Sequence, residues 1–287
     1  MNKNMEGFML DVTILQELKD RAFDIRCNTI RTIAAFGSGH IGGSMSIVEL
    51  LSVLYFNEMN IDPKDPQKKD RDRFVCSKGH AGPAVYSTLA MKGYFPEEWL
   101  STLNQGGTKL PSHCDMTKTP GVDFTGGSLG QGISAAVGIA LGQKIQNIDA
   151  YTYAVVGDGE SQEGEVWEAA ETAGAWGLEN LIAFTDKNNQ QLDDYTANII
   201  PMDNIASRYT TFNWNVYSVD GQSIPAIYYA IEEAKANKNG KPTMIILNTK
   251  KSAGFIPGEG IKGNHSMPIT QEICEKAIAD LKAREGR

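Results

Sequence analysis

The stretch Tyr153-Ala154-Val155-Val156-Gly157-Asp158-Gly159-Glu160, followed downstream by Leu181-Ile182-Ala183-Phe184-Thr185-Asp186-Lys187-Asn188-Asn189, decides how this chain folds. The apolar run Tyr153 to Val156 has strand character and breaks at Gly157. Asp158 is therefore expected at the carboxyl end of a parallel strand, where open α/β sheets place their ligands. The segment from Glu163 to Trp176 has helical composition, and Leu181 to Thr185 reads as the next strand. The two strand ends should lie side by side, bringing Asp158 to Asn188 from thirty positions away. A carboxylate and an amide oxygen are hard donors suited to Mg²⁺ or Ca²⁺, ions commonly shared with phosphates. Gly157 and Gly159 let the backbone approach a diphosphate without side-chain obstruction. Gly-Asp-Gly alone also suits an ordinary turn; Asn188 at the end of a second strand is what points to a metal–diphosphate site.

Composition sets the frame for the rest of the chain. The 287 residues suffice for one large domain or two small ones, and the 41% hydrophobic and 22% charged fractions are those of a globular protein with a real core. A formal charge of −8 and a pI near 5.1 argue against nucleic acid or an anionic membrane as a bulk partner. Cys27, Cys76, Cys114 and Cys274 are scattered without a Cys-x-x-Cys pair, as reduced thiols of a cytoplasmic protein would be. Met1 to Leu10 has too short an apolar run for a signal peptide, and no run is long enough to span a bilayer. A cytoplasmic location is expected.

The remaining segments alternate. Asp11 to Phe36 carries apolar residues at helical spacing, with Gly37 placed to end it. Gly37 to Ser44 holds four glycines around His40, and is either a flexible linker or a loop presenting that histidine. Ile47 to Met59 resumes as a helix, and the charged stretch Ile61 to Arg73 reads as a solvated loop. A strand ends at Ser77, Gly79-His80 opens a helix through Met91, and another helix-sized piece starts near Pro96. A loop from Leu110 to Thr125 carries His113, and a helix is expected over Ile133 to Gln143. Asn215 to Val219 and Thr243 to Leu247 read as strands around a helix from Ile224 to Ala236. A loop with His265 and a terminal helix, Ile273 to Lys282, follow. This alternation predicts an α/β fold with a parallel sheet flanked by helices on both faces.

Four strings go further: Gly39-His40-Ile41-Gly42, Asp72-Arg73-Phe74-Val75 running on to Ser77-Lys78-Gly79-His80-Ala81, Leu129-Gly130-Gln131-Gly132, and Gly157-Asp158-Gly159 with Asn188-Asn189. Together they resemble the amino-terminal, diphosphate-binding domain of transketolases, along nearly the whole chain. The resemblance implies thiamine diphosphate with Mg²⁺, or Ca²⁺ in its place, held by Asp158, Asn188 and the backbone carbonyl of Gln190. It implies that Gly157 and Gly159 flank the diphosphate, that Gly127 offers its carbonyl to the aminopyrimidine, and that Leu129 and Leu192 pack on the rings. His40, His80, His113 and His265 would bond substrate oxygens and shuttle protons, His80 and His265 also approaching the diphosphate. Glu163 would join a carboxylate network between two cofactor sites, whereas Glu160 and Glu165 read as solvent-facing first-turn residues. The segment carrying His265 would be a mobile lid. Two departures stand out: His113 lies between Ser112 and Cys114 rather than in Gly-His-Pro, and Ser128 replaces a proline.

By the same resemblance residues 1–287 form a single domain, and the pyrimidine-binding and carboxyl-terminal domains are expected on a separate subunit, in an α₂β₂ heterotetramer active only when assembled. Its reaction would move a two-carbon ketol unit from a ketose to an aldose, both phosphorylated or otherwise anionic, by default in the pentose phosphate pathway. Specialised sulfonated or branched sugars are the alternative. The rivals are the alpha chain of a 2-oxo-acid dehydrogenase, against which the histidine and Leu-Gly-Gln-Gly strings weigh, and a non-catalytic regulatory homologue.

Overall fold

The computed structural model describes residues 10–287, so the reading of the first nine lies outside it. Helix α1 (Val12–Phe36) starts on the Asp11 side chain, which accepts the Thr13 N–H, and ends where Gly37 takes a left-handed φ of 96°. The two-residue strand β1 (Ser38–Gly39) leads into α2 (Ile41–Met45) and α3 (Val48–Val53), the latter widening into a π-type turn over Leu54–Glu58. Strand β2 (Arg73–Cys76) is followed by a 3₁₀ turn over Gly79–Ala81 and by α4 (Gly82–Lys92). Next come α5 (Gln131–Ile145), β3 (Thr152–Gly157), α6 (Gly164–Ala175) and β4 (Leu181–Lys187). The short helices α7 (Thr196–Ile199) and α8 (Ile205–Thr211), β5 (Asn215–Asp220), α9 (Ile224–Ala236) and β6 (Thr243–Asn248) follow. The chain closes with β7 (Met267–Pro268) and α10 (Gln271–Glu285).

Strands β2 to β6 form one parallel sheet in the order β2-β3-β4-β6-β5, so all five carboxyl ends share an edge. Alternate side chains of the inner strands point to opposite faces. Tyr153, Val155, Ile182, Phe184, Ile245 and Leu247 enter a core with α1, α3, α4, α9 and α10, while Ala154, Val156, Leu181, Ala183, Met244 and Ile246 enter one with α5, α6 and α8. Burial on both faces is why these strands are continuous apolar runs rather than alternating ones. The sheet and its two helical layers are as the sequence predicts. Among the described residues no helix is long and apolar enough to cross a membrane, and all four cysteines are free and buried.

Three local expectations are corrected. The piece after Pro96 is a 3₁₀ turn over Glu97–Thr102, not an α-helix; the Ser101 and Thr102 hydroxyls bond back to Glu98 O and Trp99 O, competing for helical acceptors. The loop up to Arg73 is solvated only in its first part. Arg71 is buried with its guanidinium on the Asp123 carboxylate, and Asp72 accepts from Tyr151 N–H at 2.7 Å and Asn60 N–H at 2.9 Å, tying the entrance of β2 to that of β3. Glu160 is not solvent-facing. It is 3% exposed, with Oε1 accepting from Ser77 Oγ at 2.5 Å and Gly130 N–H at 2.9 Å and Oε2 from Gly157 N–H at 2.9 Å. Three donors from three segments offset the desolvation that pushes its pKa up.

Candidate active site

The carboxyl edge of the sheet delivers the site. Gly157 of β3 pairs with Asp186 of β4, which sets Asp158 beside the chain leaving β4. Asp158 Oδ2 accepts the Asn189 N–H at 2.5 Å and Oδ1 accepts the Gly159 N–H at 2.8 Å. Its carboxyl is 1% exposed, and its pKa rises to about 7 through burial and the nearby Asp186 carboxylate. Asn188 turns its amide so that Nδ2 donates to Asp186 Oδ2 at 3.0 Å while Oδ1 accepts the Gln190 N–H at 3.0 Å.

Above this floor stand all four histidines of the chain. Ring centroids separate His40 from His80 by 5.8 Å, from His113 by 5.2 Å and from His265 by 5.3 Å, and His80 from His265 by 4.7 Å. The ribbon of β1 and β7 brings two of them together: Gly39 pairs with Met267, so His40 and His265 leave adjacent strand ends. Buried Asn264 fixes the same segment by donating to Gly258 O at 2.7 Å. Gly43 is required opposite His80, because a Cβ there would sit 2.7 Å from His80 Nε2. Burial holds every imidazole below its ordinary pKa; for His80 the Lys78 ammonium adds to it, and for His265, near 3, the Lys251 ammonium does. They are neutral bases and hydrogen-bonding groups at neutral pH.

A cleft of ≈ 290 Å³ joins the two levels, and Asp158, Asn188, Gln190, Gly157, Gly159, Gly127, Leu129, Leu192, Glu163, His80, His113 and His265 all line it, with the His40 ring directly behind. The residues singled out in the sequence thus converge on one place. Gly127 holds φ at +140°, which exposes its backbone beside the His113 ring. Leu129 and Leu192 stay 38% and 64% exposed at the mouth, and Glu163, the N-cap residue of α6, is exposed at the rim.

Sequence reasoning gave no role to three charged residues of this site. Lys78 and Asp186 form a fully buried ion pair at 2.5 Å, and the ammonium, with bonds from Thr249 and Ser46, outweighs burial and keeps the Asp186 pKa low. Lys251, 3% exposed, donates to Gln191 O at 3.1 Å, has no carboxylate partner among the described residues, and is lowered to about 8 by burial and by Lys78. The only signal in the sequence was position: Lys78 and Asp186 lie inside the quoted strings, and Lys251 follows the β6 strand end.

The donor set fits a hard divalent cation bound with a diphosphate. Asp158 and Asn188 supply oxygens, and the Gln190 carbonyl accepts no hydrogen bond from the described residues. A buried carboxylate without a cationic partner and a buried ammonium without an anionic one face the same cleft, which suits a ligand bringing both charges. Among the described residues no group of three or more His, Cys, Asp or Glu is arranged to hold a metal ion.

Residues 19–286 match the family model described as transketolase, thiamine diphosphate binding domain. The chain is 50% identical over 270 residues to the 6-deoxy-6-sulfo-D-fructose transketolase protein SqwG of Clostridium sp. (strain MSTE9), itself a subunit, covering 94% of this chain and 98% of that protein. It is 40% identical over 246 residues to one of the subunits of an apulose-4-phosphate transketolase from Actinobacillus succinogenes, covering 85% and 88%. The solved transketolase from Leishmania mexicana superposes with a TM-score of 0.87 at 34% identity, over 94% of this chain and 41% of that one. The chain thus spans about two fifths of the length of that transketolase, but nearly all of the two subunit-type relatives. By sequence along most of its length and by fold, the chain belongs to the transketolase family, as its thiamine diphosphate-binding domain.

Proposed function

We propose that this chain is the amino-terminal subunit of a cytoplasmic, thiamine diphosphate-dependent transketolase of α₂β₂ type. A carboxyl-terminal partner subunit supplies the pyrimidine-binding half of the active site. The observation that carries the reading is the meeting, in one cleft, of His80, His113 and His265, backed by the His40 ring, with a buried carboxylate that lacks a cationic partner and a buried ammonium that lacks an anionic one. Asp158, Asn188 and the Gln190 carbonyl hold Mg²⁺, or Ca²⁺ in its place, against the diphosphate. Lys251 would give the diphosphate a cationic hydrogen-bond donor, and Gly157 and Gly159 would leave its approach free of side chains. Gly127 offers its carbonyl to the aminopyrimidine, and Leu129 and Leu192 shield the rings from water. Bound there, thiamine diphosphate supplies the nucleophile and electron sink for moving a two-carbon ketol unit. His40, His113 and His265 hold hydroxyl and carbonyl oxygens of the sugar and pass protons between them, and His80 anchors the diphosphate end. Glu163, exposed at the rim, reaches toward a second site in the assembled enzyme.

The donor is an anionic ketose, and a sulfonated one is favoured by the 50% identity to a protein named for 6-deoxy-6-sulfo-D-fructose. The test is ketol transfer to an aldose phosphate from xylulose 5-phosphate and, separately, from 6-deoxy-6-sulfo-D-fructose, with thiamine diphosphate and Mg²⁺. It is run on this chain alone and mixed with the product of the adjacent reading frame. Turnover only in the mixture is expected, faster with the sulfonated donor. Full turnover by the chain alone overturns the split assembly, a pyruvate requirement favours the 2-oxo-acid dehydrogenase reading, and no cofactor binding in the mixture favours a non-catalytic homologue.

Lys251→Met isolates the ammonium. A charge-assisted hydrogen bond is worth about 1.5–3 kcal/mol, so thiamine diphosphate retention should weaken roughly 10- to 100-fold by calorimetry. The cofactor-free chain should melt no lower than wild type, since methionine fills the same space and removes a buried unpaired ammonium.

A further inference from the structure

Beneath the proposed cation site lies a hub that none of the roles above employs. Asp186 is 0% exposed and sits two residues before Asn188. Its Oδ2 accepts from Lys78 Nζ at 2.5 Å, Ser46 Oγ at 2.7 Å and Asn188 Nδ2 at 3.0 Å, and its Oδ1 accepts from Thr249 Oγ1. One carboxylate thereby joins the ends of β2, β4 and β6 to Ser46, the residue that closes α2 after His40. Lys78 Nζ also donates to Gly43 O at 2.7 Å and Ser46 Oγ at 3.4 Å. An ammonium has three protons, and these acceptors take all three.

Two consequences follow from donor and acceptor chemistry alone. A carboxylate can only accept, so the Asn188 NH₂ must face Asp186, and the amide oxygen is left on the other side, where it takes the Gln190 N–H at 3.0 Å and turns its remaining lone pair to the cleft; a neutral partner at 186 would leave the Gln190 N–H alone to hold that orientation. Lys78, fully engaged by Asp186 and the loop, is also kept from pairing with Asp158, which stays available to a cation.

We infer that Asp186 is the positioning residue of the cation site: paired with Lys78, it locks the Asn188 amide with its oxygen toward the cleft and reserves the Asp158 carboxylate for the metal. The inference rests on the reading of Asp158, Asn188 and Gln190 as cation ligands. It adds that the site's affinity is set by a residue that touches neither metal nor cofactor, as outer partners of ligands elsewhere do.

The test uses the full chain with thiamine diphosphate and Mn²⁺, free Mn²⁺ being read by electron paramagnetic resonance. If the wild-type chain, alone and with its partner, binds no Mn²⁺ in the presence of thiamine diphosphate, the cation reading itself falls and this inference with it. If it binds, the Lys78→Met/Asp186→Asn variant removes both charges together, so no unpaired ion is left buried and melting should stay close to wild type. Its Mn²⁺ affinity should fall roughly 10- to 100-fold. Adding Asn188→Asp should recover most of the loss, because the two oxygens of a carboxylate are equivalent and need no orienting. Because a carboxylate ligand tightens a divalent cation in any background, Asn188→Asp is also made alone: the gain should be larger in the double variant than in the wild type, whereas a merely structural hub would show equal gains in both. Asp186→Glu, which keeps the charge pair but shifts the acceptor by one methylene, should weaken Mn²⁺ binding in the same direction, and it serves if the double variant unfolds. Unchanged affinity in either the double variant or Asp186→Glu, or an Asn188→Asp gain no larger in the double variant than in the wild type, overturns the inference.

Discussion

Replacing Asp158 by alanine is expected to abolish Mg²⁺-dependent retention of thiamine diphosphate, a loss beyond the roughly 10- to 100-fold that perturbing an outer partner of a metal ligand produces. The expectation follows from how this carboxylate is housed. It is 1% exposed, and its two oxygens accept only backbone N–H groups, from Gly159 at 2.8 Å and Asn189 at 2.5 Å. The buried ammonium of Lys78 is committed to Asp186. Burial and the Asp186 charge push its pKa to about 7, which says that the ionised form lacks a counter-charge at this point in the fold. A divalent cation supplies one. A ligand carboxylate must be ionised to bind, so retention in the wild type should weaken as pH falls through about 7, up to about tenfold per unit below it. Calorimetry and gel filtration with Mg²⁺ and cofactor, on the chain reconstituted with its partner, check both points. Retention in the alanine variant equal to wild type would remove Asp158 from the metal site.

What was legible in the sequence and what was not divides along a physical line. Strands buried on both faces, such as Leu181–Lys187, announce themselves as apolar runs, because nothing polar can be tolerated on either side. Helix α9 could be bounded from its own residues, since Ser223 caps it by accepting the Ala226 N–H and Pro225 suits its first turn. Local chemistry suffices for such elements. Glu160 shows the opposite case. Its own neighbourhood is a glycine-rich turn, and only Ser77 and Gly130, arriving from β2 and the start of α5, make burial of its carboxylate tolerable. The Lys78–Asp186 pair spans 108 positions, and the two-residue ribbon that sets His40 beside His265 is too short for any periodicity to reveal. The helices α7 and α8 escaped for the same reason, being four and seven residues long in a polar stretch. The site residues were legible chiefly through resemblance to transketolases. Composition alone could not have gathered four histidines from Gly39-His40, Gly79-His80, Ser112-His113 and Asn264-His265 into one cluster.

The histidines carry the second large effect. His265→Ala or His40→Ala should lower turnover of the reconstituted enzyme by ~10²–10⁴-fold, the range for losing a positioned acid–base group, while leaving cofactor retention far less changed. Both rings belong to the upper level of the site, 5.3 Å apart by centroid, whereas the floor of the cleft at Asp158 and Asn188 is built by β3 and β4 without them. Steady-state kinetics and calorimetry on the same preparations separate the two readouts, and equal losses in both would make these residues cofactor anchors instead. Stability provides an independent check. The folded-state pKa of His265 is about 3 against an ordinary 6.5, from burial first and the Lys251 ammonium next. Between those values the unfolded chain binds the extra proton, so the stability linked to this ring is fully present above about 6.5 and is lost as pH falls toward 3. Asp158, with its raised pKa, contributes with the opposite sign at neutral to mildly acid pH, so the informative quantity is the difference between variant and wild type. The drop in melting temperature from pH 7 to pH 5 should be shallower in His265→Ala. An identical drop in the two proteins would mean that the His265 ring is already solvated in the folded chain, and that the buried, neutral imidazole required for proton shuttling is not there.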